Sequence, residues 1–269
     1  MSERPLDLMR LKLNRANTRL KTLHRELDRW GKAHPIQVVT ELDRDSGWHT
    51  SYIREWEPLP ARFAIPIGES LYHGRSVLDH LVWALVKANK QTPGEHNEFP
   101  ILAKPPPSTR KGEHKRDAFI RNYRNGKLRG VHPDAIALIE GLQPYKRRKR
   151  PPYVLTLLND MAREDRHRTL HVARATMADP RTLPDLGIHP PKGVVILESE
   201  ALFESGDRLV PGTKLGRFRL SRYGRKPKVG MEADLPVLIT VGKQNLAFGA
   251  LYEINANLAK LLSLFDGFL

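Results

Sequence analysis

The chain of 269 residues contains no cysteine, and this absence excludes several classes of protein. A disulfide scaffold, a thiol nucleophile and any zinc or iron–sulfur site with cysteine ligands are all excluded. A metal ion could therefore be held only by histidine and carboxylate side chains. The absence also fits a reducing cytoplasm, which is where we expect the protein.

Long apolar runs and several common motifs are missing as well. The first 20 residues lack the apolar core of a signal peptide, and no uninterrupted apolar stretch reaches the ~18 residues typical of a membrane span. We therefore expect neither. Walker A, G-x-G-x-x-G and G-x-S-x-G segments are also absent, so neither a phosphate-binding glycine loop nor a hydrolase nucleophile elbow is indicated.

Positive charge is abundant. The formal net charge is +15 and the hydrophobic content is 40%, so the chain can form a core and is not a disordered polycation. Residues 104–174 contain 18 Lys and Arg against 7 Asp and Glu, a net charge of +11. A basic excess of this size favours a polyanion, with RNA or another nucleic acid first and an anionic membrane surface second. A merely basic surface is the alternative.

The densest basic run is followed by two prolines. Five like charges in a row repel one another, which indicates an exposed loop that either grips phosphates or only connects two elements. Together with two arginines further along, these are the predicted nucleic-acid-binding residues: Lys146, Arg147, Arg148, Lys149, Arg150, Arg166 and Arg168.

Apolar periodicity predicts long helices and a few strands. In the first helix the predicted apolar stripe includes Leu8, Leu11, Leu20, Leu23 and Leu27. The predicted helices cover 6–34, 62–90, 113–124, 133–141, 152–178 and 244–268. The predicted β segments are 36–42, 48–56, 194–197, 208–210, 215–220 and 236–241.

These elements predict an α+β fold, mainly a helical bundle with a small antiparallel β element toward the C-terminus. We expect a single domain over residues 1–269. Its expected subdivision is a helical part at 1–178, the β element at 179–243 and a closing helix at 244–269.

Two polar clusters interrupt the apolar pattern. On the 62–90 helix, Arg75 and Asp79 are four residues apart and share a face, and His80 follows directly. The second cluster, in the 152–178 helix, contains Asp165 and His167. An ion pair at the edge of the core, or a charged helix end in water, would explain either cluster without function. If the two helices meet, the clusters form one site.

Two chemistries suit such a site, and a role without chemistry is the third possibility. His80 could transfer protons while Arg75 stabilises charge on a phosphate, which suits RNA cleavage and needs neither metal nor cofactor. Alternatively, a helical-bundle hydrolase could bind a divalent metal through His73, His80, His167 and His171, with Asp79 or Asp165. In a non-enzymatic binding protein both clusters would be structural.

The spacing Arg75-x4-His80 resembles the R-x4–6-H signature of HEPN domains. Members of this family are small helical domains, many of them metal-independent ribonucleases of toxin–antitoxin and antiviral systems, with sites that often form across a dimer. The resemblance implies that Arg75 and His80 are a catalytic pair in a possible homodimer. Ser76 fits the signature, but Val82 stands where many members have tyrosine, and the β segments at 194–241 have no counterpart.

A second resemblance covers most of residues 68–168. The segments Arg75–Leu81, Phe99–Ile101, Leu142–Tyr145 and Asp165–Arg168 are similar, in the same order, to RSxLDHL, FPI, LQPY and DKHR segments of a group of uncharacterised bacterial proteins. It implies no activity but singles out the candidate catalytic residues. We expect Arg75 and His80 at a scissile phosphate, with Asp79, Asp165 and His167 to orient or assist.

Overall fold

The computed structural model describes residues 4–55, 57–107, 115–146, 154–167, 174–177, 188–189, 194–202, 210–221, 230–231, 237–241 and 246–269. The chain divides into two compact units. The helical unit consists of Met1–His24, Ala64–His171 and Gly249–Leu269, and the sheet unit of Arg25–Phe63 and Val172–Phe248. The predicted α+β class, with helix predominating, is confirmed. The single domain over 1–269 stays a prediction, and the expected subdivisions at 178 and 243 fall on residues that are not described.

Six α-helices lie in the described residues, close to their predicted positions. They are α1 (Pro5–Ala33), α2 (Ala64–Ala88), α3 (Lys115–Tyr123), α4 (Pro133–Gly141), α5 (Val154–His167) and α6 (Gly249–Ser263). The helix predicted over 152–178 is too long, because Arg174–Met177 is a strand. The apolar repeat of this segment ends at Ala162, and the charged residues that follow give no buried face to continue it.

The buried face of α1 differs from the predicted stripe. Leu8 and Leu11 are 50% and 55% exposed, so placing them on the stripe was wrong. Residues spaced three or four apart form the buried face instead, as an amphipathic helix requires. These are Leu6, Met9, Leu13, Ala16, Leu20, Leu23 and Leu27.

Helices α2, α5 and α6 pack against one another at the centre of the helical unit. Gly74 allows their close approach, because a Cβ there would lie 3.1 Å from a methyl group of Leu158 and of Leu258. Asn255 of α6 donates to Asn17 of α1 at 2.8 Å and to Ser70 of α2 at 3.3 Å. This buried polar contact fixes the rotation of three helices about their own axes.

Two of the motif segments are joined by Gln143, which is fully buried. Its Nε2 donates to the carbonyl oxygens of Pro100 and Ile139 at 2.9 and 3.0 Å, and its Oε1 accepts from the Leu102 N–H at 3.0 Å. The LQPY segment therefore holds the backbone of the FPI segment. Both motifs have a structural role here.

The sheet unit contains a four-stranded antiparallel sheet formed by β1 (Gln37–Leu42), β2 (His49–Glu55), β5 (Ile196–Ala201) and β6 (Lys214–Leu220). The strands lie in the order β1-β2-β6-β5. The predicted placement of the β element toward the C-terminus is only roughly right, because the hairpin turning at Gly47 (φ 74°) supplies two N-terminal strands.

Shorter antiparallel pairings complete the sheet unit. Strands β3 (Arg174–Met177), β8 (Val237–Val241) and β9 (Leu246–Ala247) form one sheet, and β4 (Ile188–His189) pairs with β7 (Gly230–Met231). Among the described residues, no helix combines the length and apolar character needed to cross a bilayer.

We predict that Gln143→Leu lowers the free energy of unfolding by about 3 kcal/mol, because the Pro100 carbonyl and the Leu102 N–H lose the amide that satisfies them. Urea denaturation measures the change. The control is Gln91→Leu, at an exposed glutamine, which should change stability by less than about 0.5 kcal/mol. Equal stability of the two variants would contradict the clamping role of Gln143.

Candidate active site

Helices α2 and α5 bring the two polar clusters together. Between these two helices lies a cavity of about 200 Å³, which we call the Arg75 cavity. The cavity is lined by Tyr72, Arg75, Ser76, Asp79 and His80 of α2 and by Ala162, Asp165 and Arg166 of α5.

The Asp79 carboxylate positions both Arg75 and the FPI segment. Asp79 Oδ1 lies 3.1 Å from Arg75 Nη2, one helical turn away, and accepts the Phe99 N–H at 3.0 Å. The Arg75 side chain is only 13% exposed, so its charge requires this partner. Burial lowers the pKa of Arg75, Asp79 opposes that shift and the positive charge of Arg166 adds to it. An arginine nevertheless stays charged at neutral pH.

Two polar atoms at this site have no hydrogen-bond partner among the described residues. Arg75 Nη1 is a buried donor, and Asp165 Oδ1 is a buried acceptor. Asp165 lies against Gly68, where a Cβ would be 2.9 Å from both carboxylate oxygens. Since buried polar groups are nearly always satisfied, each of these two atoms requires a partner beyond the described side chains, and a water molecule or a ligand would provide it.

His80 lies at the mouth of the Arg75 cavity and is exposed. Partial desolvation lowers its pKa, the positive charge of Lys12 lowers it further, and Asp79 acts in the opposite direction. The imidazole is therefore neutral at pH 7 and can accept a proton. Lys12 of α1 donates to Ser76 Oγ at 3.0 Å, so a cation from a third helix also borders the site.

A second cavity, of about 540 Å³, adjoins the first and shares Tyr72 and Asp165 with it. Arg15, Arg19 and His73 are among its lining residues. Burial lowers the pKa of His73, with Lys12 and Arg15 adding to the shift and Glu69 opposing it. His73 therefore lies beside the predicted catalytic pair rather than within the Arg75 cavity.

The remaining predicted residues fall into two groups. Lys146 is described, and its Nζ forms an ion pair at 2.7 Å with Glu140, which also accepts from the Tyr145 hydroxyl at 2.7 Å. Burial and Glu140 raise the pKa of Tyr145. The structure gives no description of Arg147, Arg148, Lys149, Arg150, Arg168 or His171, nor of the His167 side chain, although His167 is the last residue of α5.

No group of three or more His, Asp or Glu side chains within the described ranges is arranged to hold a metal ion. The metal alternative uses four histidines, and the structure does not describe the side chains of two of them, His167 and His171. The described geometry brings Arg75, Asp79, His80 and Asp165 into the wall of one cavity.

Sequence reasoning missed two residues that border these cavities, Lys12 and Arg15. The signal that could have found them is a basic stripe on α1, since Lys12, Arg15 and Arg19 are three and four residues apart and share a face. The wrong placement of Leu8 and Leu11 on the buried face concealed it.

No protein-family model, curated protein or solved structure matches the chain.

We predict that the two bonds of Asp79 can be separated by substitution. Asp79→Asn keeps an acceptor for the Phe99 N–H but leaves the buried guanidinium without a counter-charge, which should lower the free energy of unfolding by about 2 kcal/mol. Asp79→Ala also removes the acceptor and should cost about 1 kcal/mol more. Urea denaturation measures both, and wild-type stability in both variants would show that Asp79 holds neither group.

Proposed function

We propose that the chain is an RNA-interacting protein that acts as a metal-independent endoribonuclease, with the Arg75 cavity as its active site. The observation that carries this proposal is the convergence of Arg75, Asp79, His80 and Asp165 on that one cavity. The buried donor Arg75 Nη1 and the buried acceptor Asp165 Oδ1 lack described partners there. A ribonucleotide carries both complementary groups close together. A non-bridging phosphate oxygen accepts from Arg75, and the neighbouring 2′-hydroxyl donates to Asp165.

The same two atoms favour RNA over DNA. DNA lacks the 2′-hydroxyl, so it would leave the Asp165 oxygen buried without a donor. An unsatisfied buried acceptor costs about 1–3 kcal/mol. RNA also supplies its own nucleophile, so the protein needs only to transfer protons and stabilise charge.

In the proposed reaction, Asp165 accepts the 2′-hydroxyl proton in the bound ground state, and the O–H then turns to neutral His80, which takes that single proton. The 2′-oxygen forms a bond to phosphorus and the bond from phosphorus to the 5′-oxygen breaks. Arg75, held by Asp79, stabilises the negative charge that develops on the phosphate oxygens. His80 then returns its proton to the leaving 5′-oxygen. The products are a 2′,3′-cyclic phosphate and a 5′-hydroxyl, so protons and charge balance without a metal or redox partner.

Charge around the site supports a polyanionic substrate. Arg75 and Arg166 balance Asp79 and Asp165 in the cavity wall, and Lys12, which contacts Ser76, adds one positive charge. The net charge of +11 over residues 104–174 would attract the RNA backbone, with Lys146–Arg150 and Arg168 as its proposed contacts. The HEPN resemblance assigns the same pair, Arg75 and His80. A homodimer and a toxin–antitoxin or defence role stay predictions of that resemblance.

The direct test is cleavage of a fluorescent oligoribonucleotide. His80→Ala should slow cleavage at least about 100-fold, because proton transfer is lost. Arg75→Ala should do the same because the developing charge is no longer stabilised. His96→Ala is the matched control, at a histidine whose side chain is 86% exposed, and should cleave at the wild-type rate.

Each other outcome of the cleavage test has a definite meaning. Cleavage that EDTA abolishes would favour the metal-dependent alternative. RNA binding without cleavage would favour the non-enzymatic one. Wild-type cleavage by folded His80→Ala would contradict the role given to His80.

The proposed role of His80 as base also fixes the pH dependence of cleavage. The neutral imidazole is the active form, and burial and Lys12 hold its pKa below the ordinary 6.5. The kcat/KM should therefore rise with pH through a midpoint below 6.5 and be level at pH 7. A profile measured from pH 4.5 to 8 checks this. A rate that is already at its maximum at pH 4.5 would contradict proton abstraction by His80.

A further inference from the structure

An apolar groove of about 690 Å³ lies directly beside the Arg75 cavity, and His80 belongs to the walls of both. The groove is formed by the start of α1, the second half of α2 and the C-terminal residue. Trp83 and Leu8, both in its wall, are 42% and 50% exposed. The volume lies in the range of small-molecule sites, and a large apolar surface in this position requires an explanation.

We infer that this groove binds an unpaired nucleobase stacked on Trp83, so that the substrate is single-stranded RNA. The inference rests on the proposed function, which places a phosphate in the Arg75 cavity. Trp83 follows His80 by three residues on α2, a rise of about 4.5 Å along one side of the helix. A base in the groove is therefore adjacent to the phosphate on which His80 acts.

The groove combines the features that a nucleotide needs. Trp83 and Leu8 offer apolar surface to the face of a base, and Lys87 lies in the same wall. Stacking on an aromatic side chain suits any base, because each has a flat aromatic face. A base within a duplex is paired and stacked on its neighbours, so it cannot enter the groove without leaving the helix.

Charge favours a nucleotide over a second copy of the chain or another protein segment. The groove and the adjoining cavity carry Lys87, Arg75 and Arg166 in their walls against Asp79 and Asp165, and Lys12 contacts Ser76 at their border, which leaves an excess of two positive charges. An apolar protein surface laid over this region would desolvate that excess without compensating it. A nucleotide places an anion beside these cations and a ring in the groove.

The second cavity, of about 540 Å³, also adjoins the Arg75 cavity and extends the proposed binding surface. It shares Tyr72 and Asp165 with the Arg75 cavity, and Arg15 and His73 are in its wall. A strand whose base lies on Trp83 would reach this cavity with a neighbouring phosphate, which Arg15 would contact. The three adjoining cavities thus suit an extended single strand.

The test compares cleavage of a single-stranded oligoribonucleotide with cleavage of the same sequence in a duplex. Trp83→Ala should lower kcat/KM for the single strand by about 10- to 100-fold, the worth of one stacked base. Trp83→Phe keeps an aromatic ring and should stay within about threefold of wild type. The control Leu264→Ala, at a leucine 51% exposed on the helical unit and not among the residues that line the groove, should be unchanged. The duplex should be cleaved at least about 100-fold more slowly than the single strand.

The possible failures are distinguishable. If wild type neither binds nor cleaves RNA, the proposed function fails and this inference with it. If wild type cleaves RNA but Trp83→Ala equals Leu264→Ala, or the duplex is cleaved equally well, only the nucleobase site is overturned. A mass in solution that doubles with concentration for wild type but not for Trp83→Ala would assign the groove to a second copy, and so would also overturn it.

Discussion

A buried positive charge constrains this part of the molecule. Arg75 is largely covered by protein, and a charge in that environment must be paired or it destabilises the fold by several kcal/mol. Asp79 provides the pair from the next helical turn and binds the Phe99 N–H with the same oxygen. The FPI segment is fixed in turn by Gln143. One ion pair therefore ties α2 to the loop beside it and directs the rest of the guanidinium toward the cavity that α5 closes.

Much of the fold follows from short-range rules that can be applied to the sequence. Apolar residues three and four apart located α2, in which Ile67, Leu71, Leu78 and Leu81 are buried. Local spacing also placed Arg75 and Asp79 on one face, since four residues make about one turn. The four-stranded sheet was harder to place. Strand β2 pairs with β6, about 160 residues later, and neither strand alone indicates that partner.

The candidate site shows the same limit. Asp165 was singled out from its own segment, but its approach to Gly68 depends on the packing of two helices nearly 100 residues apart. Lys12 was missed because two exposed leucines on α1 were counted as core, which hid the basic face that follows them. Two motif segments contain residues with a structural role. Gln143 of the LQPY segment binds backbone atoms of Pro100 and Leu102. Asp79 of the RSxLDHL segment binds the Phe99 N–H and Arg75. Motif matching alone does not separate residues that build a site from residues that act in it.

The most direct measurement is the pKa of His80 by NMR, with and without an oligoribonucleotide in which a methylene group replaces each leaving 5′-oxygen, so that it keeps its 2′-hydroxyls and is not cleaved; the imidazole signal is assigned with His80→Gln. In the free protein this pKa should lie below 6.5, because burial and Lys12 disfavour the imidazolium. A phosphate bound to Arg75 should raise it by about 1 or more, since an anion nearby favours the charged form. The rise should disappear in Arg75→Ala. A His80 pKa that RNA leaves unchanged, or that rises equally in Arg75→Ala, would contradict the placement of the phosphate in this cavity.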